Sequence, residues 1–159
     1  MIGQDYILRQ IEQLINMLAK ILLNKETKNF EESKKLINNS FIGLLGIDAY
    51  LINSLSAQDL ISLQKFSKEA YLHDVNCIII AKLLKEQAEL ECLVNEESRI
   101  SIKDYQKILT LFLEGLLGFE RKDIDLAVFY NDVKEIVNKI GLENLSPEIK
   151  DKILKLNEQ

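Results

Sequence analysis

The fold is decided by one stretch of the sequence, residues 74–95, which reads DVNCIIIAKLLKEQAELECLVN. It contains neither proline nor glycine, the two residues that most strongly interrupt regular structure. On a helix its apolar residues form two stripes, one of mostly small side chains and one of larger ones: Cys77, Ala81, Leu84, Ala88 and Cys92, and Ile80, Leu83, Leu90 and Val94. Small side chains let a neighbouring helix approach closely, and larger ones fill the space beside it. We therefore predict a long central helix that begins at about Lys68 or Asp74 and ends at Asn95.

The rest of the chain is interrupted almost as rarely. The whole chain of 159 residues includes one proline, Pro147, and six glycines, and apolar residues recur every three or four positions. This periodicity is typical of amphipathic helices, and no strand-like alternation competes with it. We predict an all-α protein of about seven helices packed as antiparallel hairpins. A chain of this length is most simply one domain, at 1–159, with an amphipathic N-terminal helix at 1–25 and a body of helical hairpins at 28–159.

Capping residues and glycines set the predicted ends of the other helices. Ser56, Ser101 and Ser146 precede helices as N-caps, and the last of them is followed by proline at the first helical position. Gly46 and Gly141 stand where a helix commonly stops. The predicted ranges are 5–24, 30–45, 48–53, 57–65, 101–117, 123–140 and a last helix after 146.

The N-terminal helix carries a seam of apolar residues at alternating steps of four and three: Ile7, Ile11, Leu14, Leu18 and Ile21. Leu8, Ile15 and Leu22 widen this seam on one side. Three heptads are too few to require a coiled coil, so we expect the seam to pack on the body of the domain. The functional alternative is an oligomer seam that joins two copies of the chain in a homodimer.

Composition argues against two classes of protein. A net charge of −5 disfavours nucleic acid as a partner, because nucleic-acid binding depends on clusters of lysine and arginine. No run approaches the ~20 apolar residues that a membrane span requires. The apolar stretch 7–23 is punctuated by charges and lacks a basic region before it, unlike a targeting segment. We therefore expect a soluble protein.

The two cysteines, Cys77 and Cys92, fall in the predicted central helix. Fifteen residues at ~1.5 Å each separate them by about 22 Å, whereas a disulfide needs Cα atoms within ~7 Å. They cannot pair with each other, and we expect them to act as small apolar residues. This usage is consistent with the reducing cytoplasm.

Two stretches resemble the tetratricopeptide repeat. Residues 104–109, DYQKIL, resemble the start of the second helix of that repeat, and residues 82–90, KLLKEQAEL, resemble its first helix, with Ala88 at the small-residue position. Asp104 lies sixteen positions after Ala88, where the usual repeat has about eight, so the turn is expanded or the first helix is extended. The resemblance implies a tetratricopeptide-like right-handed stack, in which first helices line a peptide-binding groove. It would place Lys82, Lys85 and Glu89 toward that groove.

A second resemblance covers roughly residues 4–115. Residues 4–14, QDYILRQIEQL, with 17–21, MLAKI, are similar to a family of uncharacterised bacterial proteins that carries the label of a domain of unknown function. Residues 44–48, LLGID, with 52–56, INSLS, are similar to the same family. This resemblance implies a compact helical protein and brings no activity with it.

The sequence contains no recognisable catalytic constellation. His73 is the sole histidine, so a zinc site would need an unusual ligand set. Glu86 and Glu89 share a helix face, but no Glu-x-x-His motif of a di-metal bundle accompanies them. No glycine stands in a phosphate-cradling motif. We predict no catalytic residue, metal or cofactor.

The function that these patterns favour is that of a noncatalytic module that binds a protein or peptide. Lys82, Lys85 and Glu89 are the candidate partner-binding residues, although a carboxylate at Glu89 would repel the terminal carboxylate of a peptide. The alternative is a small-molecule-binding protein or enzyme with a pocket between helices.

Overall fold

The computed structural model describes residues 2–66, 70–121 and 123–159. These residues contain eight α-helices and no strand, which confirms the prediction of an all-α fold. The helices are α1 (Ile2–Glu26), α2 (Phe30–Leu45), α3 (Ala49–Ser54), α4 (Ala57–Lys65), α5 (His73–Val94), α6 (Ile102–Gly118), α7 (Ala127–Ile140) and α8 (Pro147–Asn157). A 3₁₀ turn at Ala70–Leu72 precedes α5. The predicted start of the central helix at Lys68 lies outside the described residues.

The central position of α5 is confirmed. Every residue from Val75 to Lys85 is buried, so three full turns of the helix are covered on all sides. The helix packs on α1, α2 and α4, and most extensively on α6. A helix that is apolar around its circumference must be enclosed in this way, because it has no polar face to turn toward water.

Two glycines of α6 allow this close packing. A Cβ atom added to Gly115 would lie 2.5 Å from the carbonyl oxygen of Asp74 and 2.6 Å from Cγ1 of Ile78. A Cβ atom on Gly118 would collide with the Asp74 carboxylate. The backbone of α6 therefore approaches the first turns of α5 at a distance that only glycine permits.

The predicted caps lie where the sequence indicated. The side chains of Ser56, Ser101 and Ser146 each accept a hydrogen bond from the backbone N–H three residues later. Gly46 ends α2 in the left-handed conformation, with φ of 68°. The start of α7 was predicted at 123 and is wrong by four residues. The carboxylate of Asp125 accepts the N–H of Ala127 at 2.9 Å, so the chain turns there before the helix begins.

The apolar seam of α1 faces the body of the same chain. Its five residues are buried or packed against the core, where α1 contacts α2 and α5: Ile7, Ile11, Leu14, Leu18 and Ile21. The expectation that the seam packs on the domain body agrees with this placement. The alternative of an oligomer seam at these five residues stays a prediction, although α2 and α5 of the same chain already cover this face.

The C-terminal helices depart from a simple hairpin arrangement. α7 and α8 both pack on α6, and an apolar cavity of about 240 Å³ lies between them. The sixteen positions between Ala88 and Asp104 contain both an extended first helix and an expanded turn, the two alternatives that the sequence left open. α5 continues from Ala88 to Val94, and residues 95–101 then lead to α6.

Candidate functional site

The second half of α5 presents two opposite faces of different chemistry. Lys82, Lys85, Glu86 and Glu89 recur at spacings of three and four residues and so share one face. Leu84, Gln87, Ala88 and Glu91 are displaced from them by about half a turn. The first face is closed by charged residues of other helices. The second is buried at Leu84, half-buried at Gln87 and Ala88, and exposed to solvent at Glu91.

The centre of the charged face is a carboxylate held between two lysines. Asp132 of α7 is buried, and its oxygens lie 3.0 Å from Nζ of Lys82 and 3.2 Å from Nζ of Lys85. Both lysines are buried as well. Charged groups removed from water in this way are tolerated when they are paired, because each compensates the lost hydration of the other.

Further ion pairs extend this cluster in two directions. Toward α1, Glu86 lies 3.0 Å from Lys25 and 3.3 Å from Lys82. Toward the exposed side of α7, Glu135 lies 3.3 Å from Lys85 and 3.0 Å from Lys139. Glu89 completes the set by pairing with Lys85. We call these side chains the α5 ion-pair network: Lys25, Lys82, Lys85, Glu86, Glu89, Asp132, Glu135 and Lys139.

The network favours the charged forms of Glu86 and Lys85. Burial by itself would raise the pKa of Glu86, but the ammonium groups of Lys82 and Lys25 outweigh it and hold the pKa below its ordinary value. Burial would likewise lower the pKa of Lys85, but the hydrogen bond to Glu89 and the charge of Asp132 hold it above the ordinary value. Both shifts favour the charged forms, as expected for groups whose partners are already in place.

The three predicted partner-binding residues all belong to this network. The structure brings Lys82, Lys85 and Glu89 together on one face of α5, as their spacing predicts. Their charged groups are engaged by each other and by Asp132, Glu86 and Glu135. This pairing disfavours a direct role in holding a ligand, although such a role stays a prediction.

The open face of α5 forms the floor of a groove. One cavity, of about 250 Å³, is lined by α3, α5 and α6: Asn53, Leu84, Gln87, Ala88, Glu91, Asp104, Lys107 and Ile108. A second, of about 90 Å³, is lined by α2 and α5: Phe30, Glu31, Lys34, Ile37, Asn38, Gln87, Leu90, Glu91 and Val94. Gln87 and Glu91 belong to both cavities. We call the combined feature the α5 groove.

The α5 groove has an excess of negative charge available to a ligand. Within the described residues, none of its carboxylates, Glu31, Glu91 and Asp104, lies in an ion pair, and all three residues are exposed. Its three carboxylates outnumber its two lysines, Lys34 and Lys107. Nζ of Lys107 donates to the carbonyl oxygen of Ile52 at 2.9 Å, near the end of α3, and its charge also interacts with Asp104. Burial lowers the pKa of this lysine.

The chain matches a protein-family model over most of its length. The model described as "Family of unknown function (DUF6483)" matches residues 1–144. The chain belongs to this family. The match confirms the resemblance to an uncharacterised family and extends it beyond residues 4–115. No curated protein and no solved structure matches the chain.

The α7 members of the network, Asp132, Glu135 and Lys139, were not predicted from the sequence. Asp132 lies on the same helical face as the buried residues Phe129, Val133 and Ile136. A carboxylate at such an apolar position is the signal that a buried cation lies opposite, but the sequence does not say which cation. The two lysines that pair with it lie fifty and forty-seven positions earlier in the chain.

A second polar cluster surrounds His73 at the start of α5. Nε2 of His73 lies 3.1 Å from the carboxylate of Glu114 on α6, which also lies 3.5 Å from Lys65 on α4. Burial would raise the pKa of Glu114, but the hydrogen bond from His73 and the charge of Lys65 hold it below its ordinary value. Burial raises the pKa of the nearby Cys77 thiol to about 12, which disfavours the thiolate form that a nucleophilic cysteine needs.

Two findings bear on other classes of site. In the described part of the chain, no group of three or more histidine, cysteine, aspartate or glutamate side chains is arranged to hold a metal ion. Among the same residues, no helix combines the length and apolar character that crossing a membrane requires.

Proposed function

We propose that this protein is a noncatalytic interaction module, and that it binds an extended peptide segment with neighbouring basic and apolar side chains in the α5 groove. The observation that carries the proposal is the contrast between the two faces of α5. The carboxylates Glu86 and Glu89 on the first face are paired with lysines, whereas Glu91 on the other face has no cation within ion-pair distance among the described residues. An unpaired carboxylate in a groove is available to a ligand cation.

The two cavities suggest how such a segment would lie. The smaller one, at about 90 Å³, has the aliphatic and aromatic walls Phe30, Ile37, Leu90 and Val94. At ~30 Å³ for each water molecule it holds about three waters, which is room for one branched aliphatic side chain. Glu91 borders both cavities, so it can receive a lysine or arginine next to that side chain. Asp104 stands on the rim of the larger cavity.

The dimensions favour a segment over a small molecule. Pockets for small ligands usually enclose roughly 300–1,000 Å³. The larger cavity here is about 250 Å³ and lies open beside a second one. The partial tetratricopeptide signature points to the same class of function, since such repeats bind peptides on helical surfaces. The proposal does not depend on tetratricopeptide-type stacking, and the two free cysteines support the reducing cytoplasm as its location.

The test uses three capped synthetic peptides that differ in one property each: Gly-Lys-Leu-Lys-Gly, Gly-Lys-Ser-Lys-Gly and Gly-Glu-Leu-Glu-Gly. Titrations followed by ¹⁵N–¹H correlation spectra report both the affinity and the place of binding. We expect the first peptide to shift the amide signals of Gln87 and Glu91, the second to bind more weakly and the third not to bind.

Two variants then distinguish binding in the α5 groove from nonspecific attraction of a basic peptide to an acidic protein. Glu91→Gln should weaken binding of the lysine–leucine peptide by up to about fivefold, the upper limit for one exposed charge pair. Glu97→Gln is the matched control, because Glu97 is an exposed carboxylate in the connection between α5 and α6. Equal affinity in both variants, or signal shifts confined to another surface, would show that the proposal is wrong. A metabolite retained in the native mass spectrum would instead favour the small-molecule alternative.

A further inference from the structure

The gap between α7 and α8 contains a second pair of cavities, separate from the α5 groove. The apolar cavity of about 240 Å³ is lined by residues of these two helices: Tyr130, Val133, Lys134, Val137, Asn138, Ile153, Leu156 and Asn157. A wider cavity of about 700 Å³ adjoins it and shares four of these residues: Tyr130, Lys134, Leu156 and Asn157. The described lining residues of these cavities and of the α5 groove do not overlap. A ligand between α7 and α8 would therefore be distinct from the proposed peptide.

The walls of the smaller cavity are aliphatic. Val133 and Val137 of α7 are four residues apart and share a helix face, and Ile153 and Leu156 of α8 are three apart and do the same. Both helices pack on α6, which holds them in place on either side of the gap. An apolar ligand that enters such a gap removes the apolar surface of both walls from water, which favours binding.

Four polar residues border these walls: Tyr130, Lys134, Asn138 and Asn157. Within the part of the chain that the structure describes, their side chains make no hydrogen bond or ion pair. Lys134 is exposed, and the residues three and four positions from it on α7 are uncharged: Tyr130, Asn131, Val137 and Asn138. The described lining of the smaller cavity thus has one cation, three neutral residues that can donate hydrogen bonds, and no carboxylate.

The wider cavity is also lined by two carboxylates, but both are engaged. Asp123 pairs with Arg121, and the carboxylate of Asp125 accepts the N–H of Ala127 at 2.9 Å. Neither aspartate lines the smaller cavity. Lys134, which lines both cavities, is therefore the charge available to a ligand where they meet.

We propose that the gap between α7 and α8 binds a small anionic amphiphile, namely a monocarboxylate with an unbranched hydrocarbon chain. The chain lies between the aliphatic walls, and the carboxylate lies at Lys134. A mostly apolar cavity with a few polar groups that fix the orientation of the ligand is the usual form of a small-molecule site. A single lysine matches a single negative charge, which favours a carboxylate over a doubly charged phosphate.

The volume of the smaller cavity sets the length of the chain. At ~30 Å³ for each water-sized group, about 240 Å³ holds about eight such groups. A chain of about eight carbon atoms therefore fills the cavity, and octanoate is the matching probe. Each methylene group that is buried should tighten binding by about fourfold.

Titration with sodium octanoate, from about 0.1 mM to about 10 mM, covers the affinity expected of so small a ligand. In ¹⁵N–¹H correlation spectra, octanoate should shift the amide signals of Val137 and Leu156. Butanoate lacks four of the methylene groups and should bind at least tenfold more weakly. Octylammonium has the same chain with the opposite charge and should also bind more weakly. An absence of shifts at these signals, or equal affinity for octanoate and octylammonium, overturns the proposal.

Three variants locate the ligand. Lys134→Gln should weaken octanoate binding by up to about fivefold, the limit for one exposed charge pair, and should leave binding of the uncharged octan-1-ol unchanged. Lys155→Gln is the matched control, because Lys155 is an exposed lysine of α8 that lines neither cavity. Val137→Phe should fill the cavity and abolish binding of both ligands, and it should stay folded because Val137 is only half-buried. Equal octanoate affinity in the two lysine variants overturns the proposal, as does unchanged affinity in Val137→Phe.

Discussion

Replacing Asp132 with alanine tests whether the α5 ion-pair network holds α7 in place. Within the described part of the chain, Asp132 is the one carboxylate shared by Lys82 and Lys85, at 3.0 Å and 3.2 Å, and its side chain is 9% exposed. Its removal leaves two buried ammonium groups without their common partner. Breaking a buried pair in this way typically costs about 3–5 kcal/mol, because the remaining charge is neither hydrated nor compensated.

The geometry places the expected cost at the lower end of that range. Lys82 keeps Glu86 at 3.3 Å, and Lys85 keeps Glu89 and Glu135, so neither lysine becomes isolated. We therefore expect Asp132→Ala to lower the free energy of unfolding by about 3 kcal/mol. At ~2–4 °C per kcal/mol for a chain of this size, the midpoint of thermal unfolding should fall by about 6–12 °C.

Urea unfolding followed by circular dichroism measures this loss. Glu135→Ala is the matched control, because Glu135 also pairs with Lys85 from α7 but its side chain is 45% exposed. Exposed pairs contribute at most about 1 kcal/mol, so this variant should lose much less. A loss for Asp132→Ala below about 1 kcal/mol, or no larger than that of Glu135→Ala, would refute the assignment of Asp132 as the centre of a stabilising network.

The remaining predictions concern the α5–α6 contact and the response to acid. Gly115→Ala should destabilise the protein by about 1–2 kcal/mol, since overpacking outweighs the gain in helix propensity. Gly43→Ala should stabilise it by up to about 1 kcal/mol, because a Cβ there meets nothing within 4 Å. Chemical denaturation measures both changes in the free energy of unfolding, and two changes of the same sign would contradict the close contact at Gly115. Because the pKa of Glu86 is held below the ordinary glutamate value of 4.5, its contribution to stability is present above that pH and is lost as the pH falls through the lowered pKa. The deficit of Glu86→Gln should thus be largest near pH 7 and should shrink in acid, and a deficit that does not change with pH would argue against the pairing with Lys25 and Lys82.

The elements of this fold were predictable because their signals are local. Ser101, for example, accepts the backbone N–H three residues later, and this capping pattern predicts the start of a helix without reference to distant parts of the chain. Likewise, apolar residues on two faces of 74–95 suffice to predict a buried helix. The start of α7 was misplaced because the Asp125 carboxylate accepts the N–H of Ala127 in a turn before the helix. An aspartate at that position is equally compatible with the first turn of a helix.

The candidate site was less predictable because it depends on distant pairs. Lys82, Lys85 and Glu89 could be assigned to one face of α5, but nothing in the sequence indicates that Asp132 reaches the same place. The tetratricopeptide resemblance placed these residues toward a groove. The structure instead pairs them with α1 and α7 and leaves the opposite face of the helix open. Tertiary contacts decide which face of a central helix is free, and periodicity alone does not.

The enclosure of the first half of α5, from Val75 to Lys85, has a consequence for how the protein is made. Residues 77–81, Cys-Ile-Ile-Ile-Ala, leave the ribosome before α6, the helix that covers them most extensively. Until about 118 residues have emerged, a run of β-branched side chains without charge is exposed on the nascent chain, and such runs favour aggregation. A shortened polypeptide that ends before Ile102 would carry the same hazard permanently. The interval between synthesis of α5 and synthesis of α6 is thus the stage at which this protein most needs protection by chaperones.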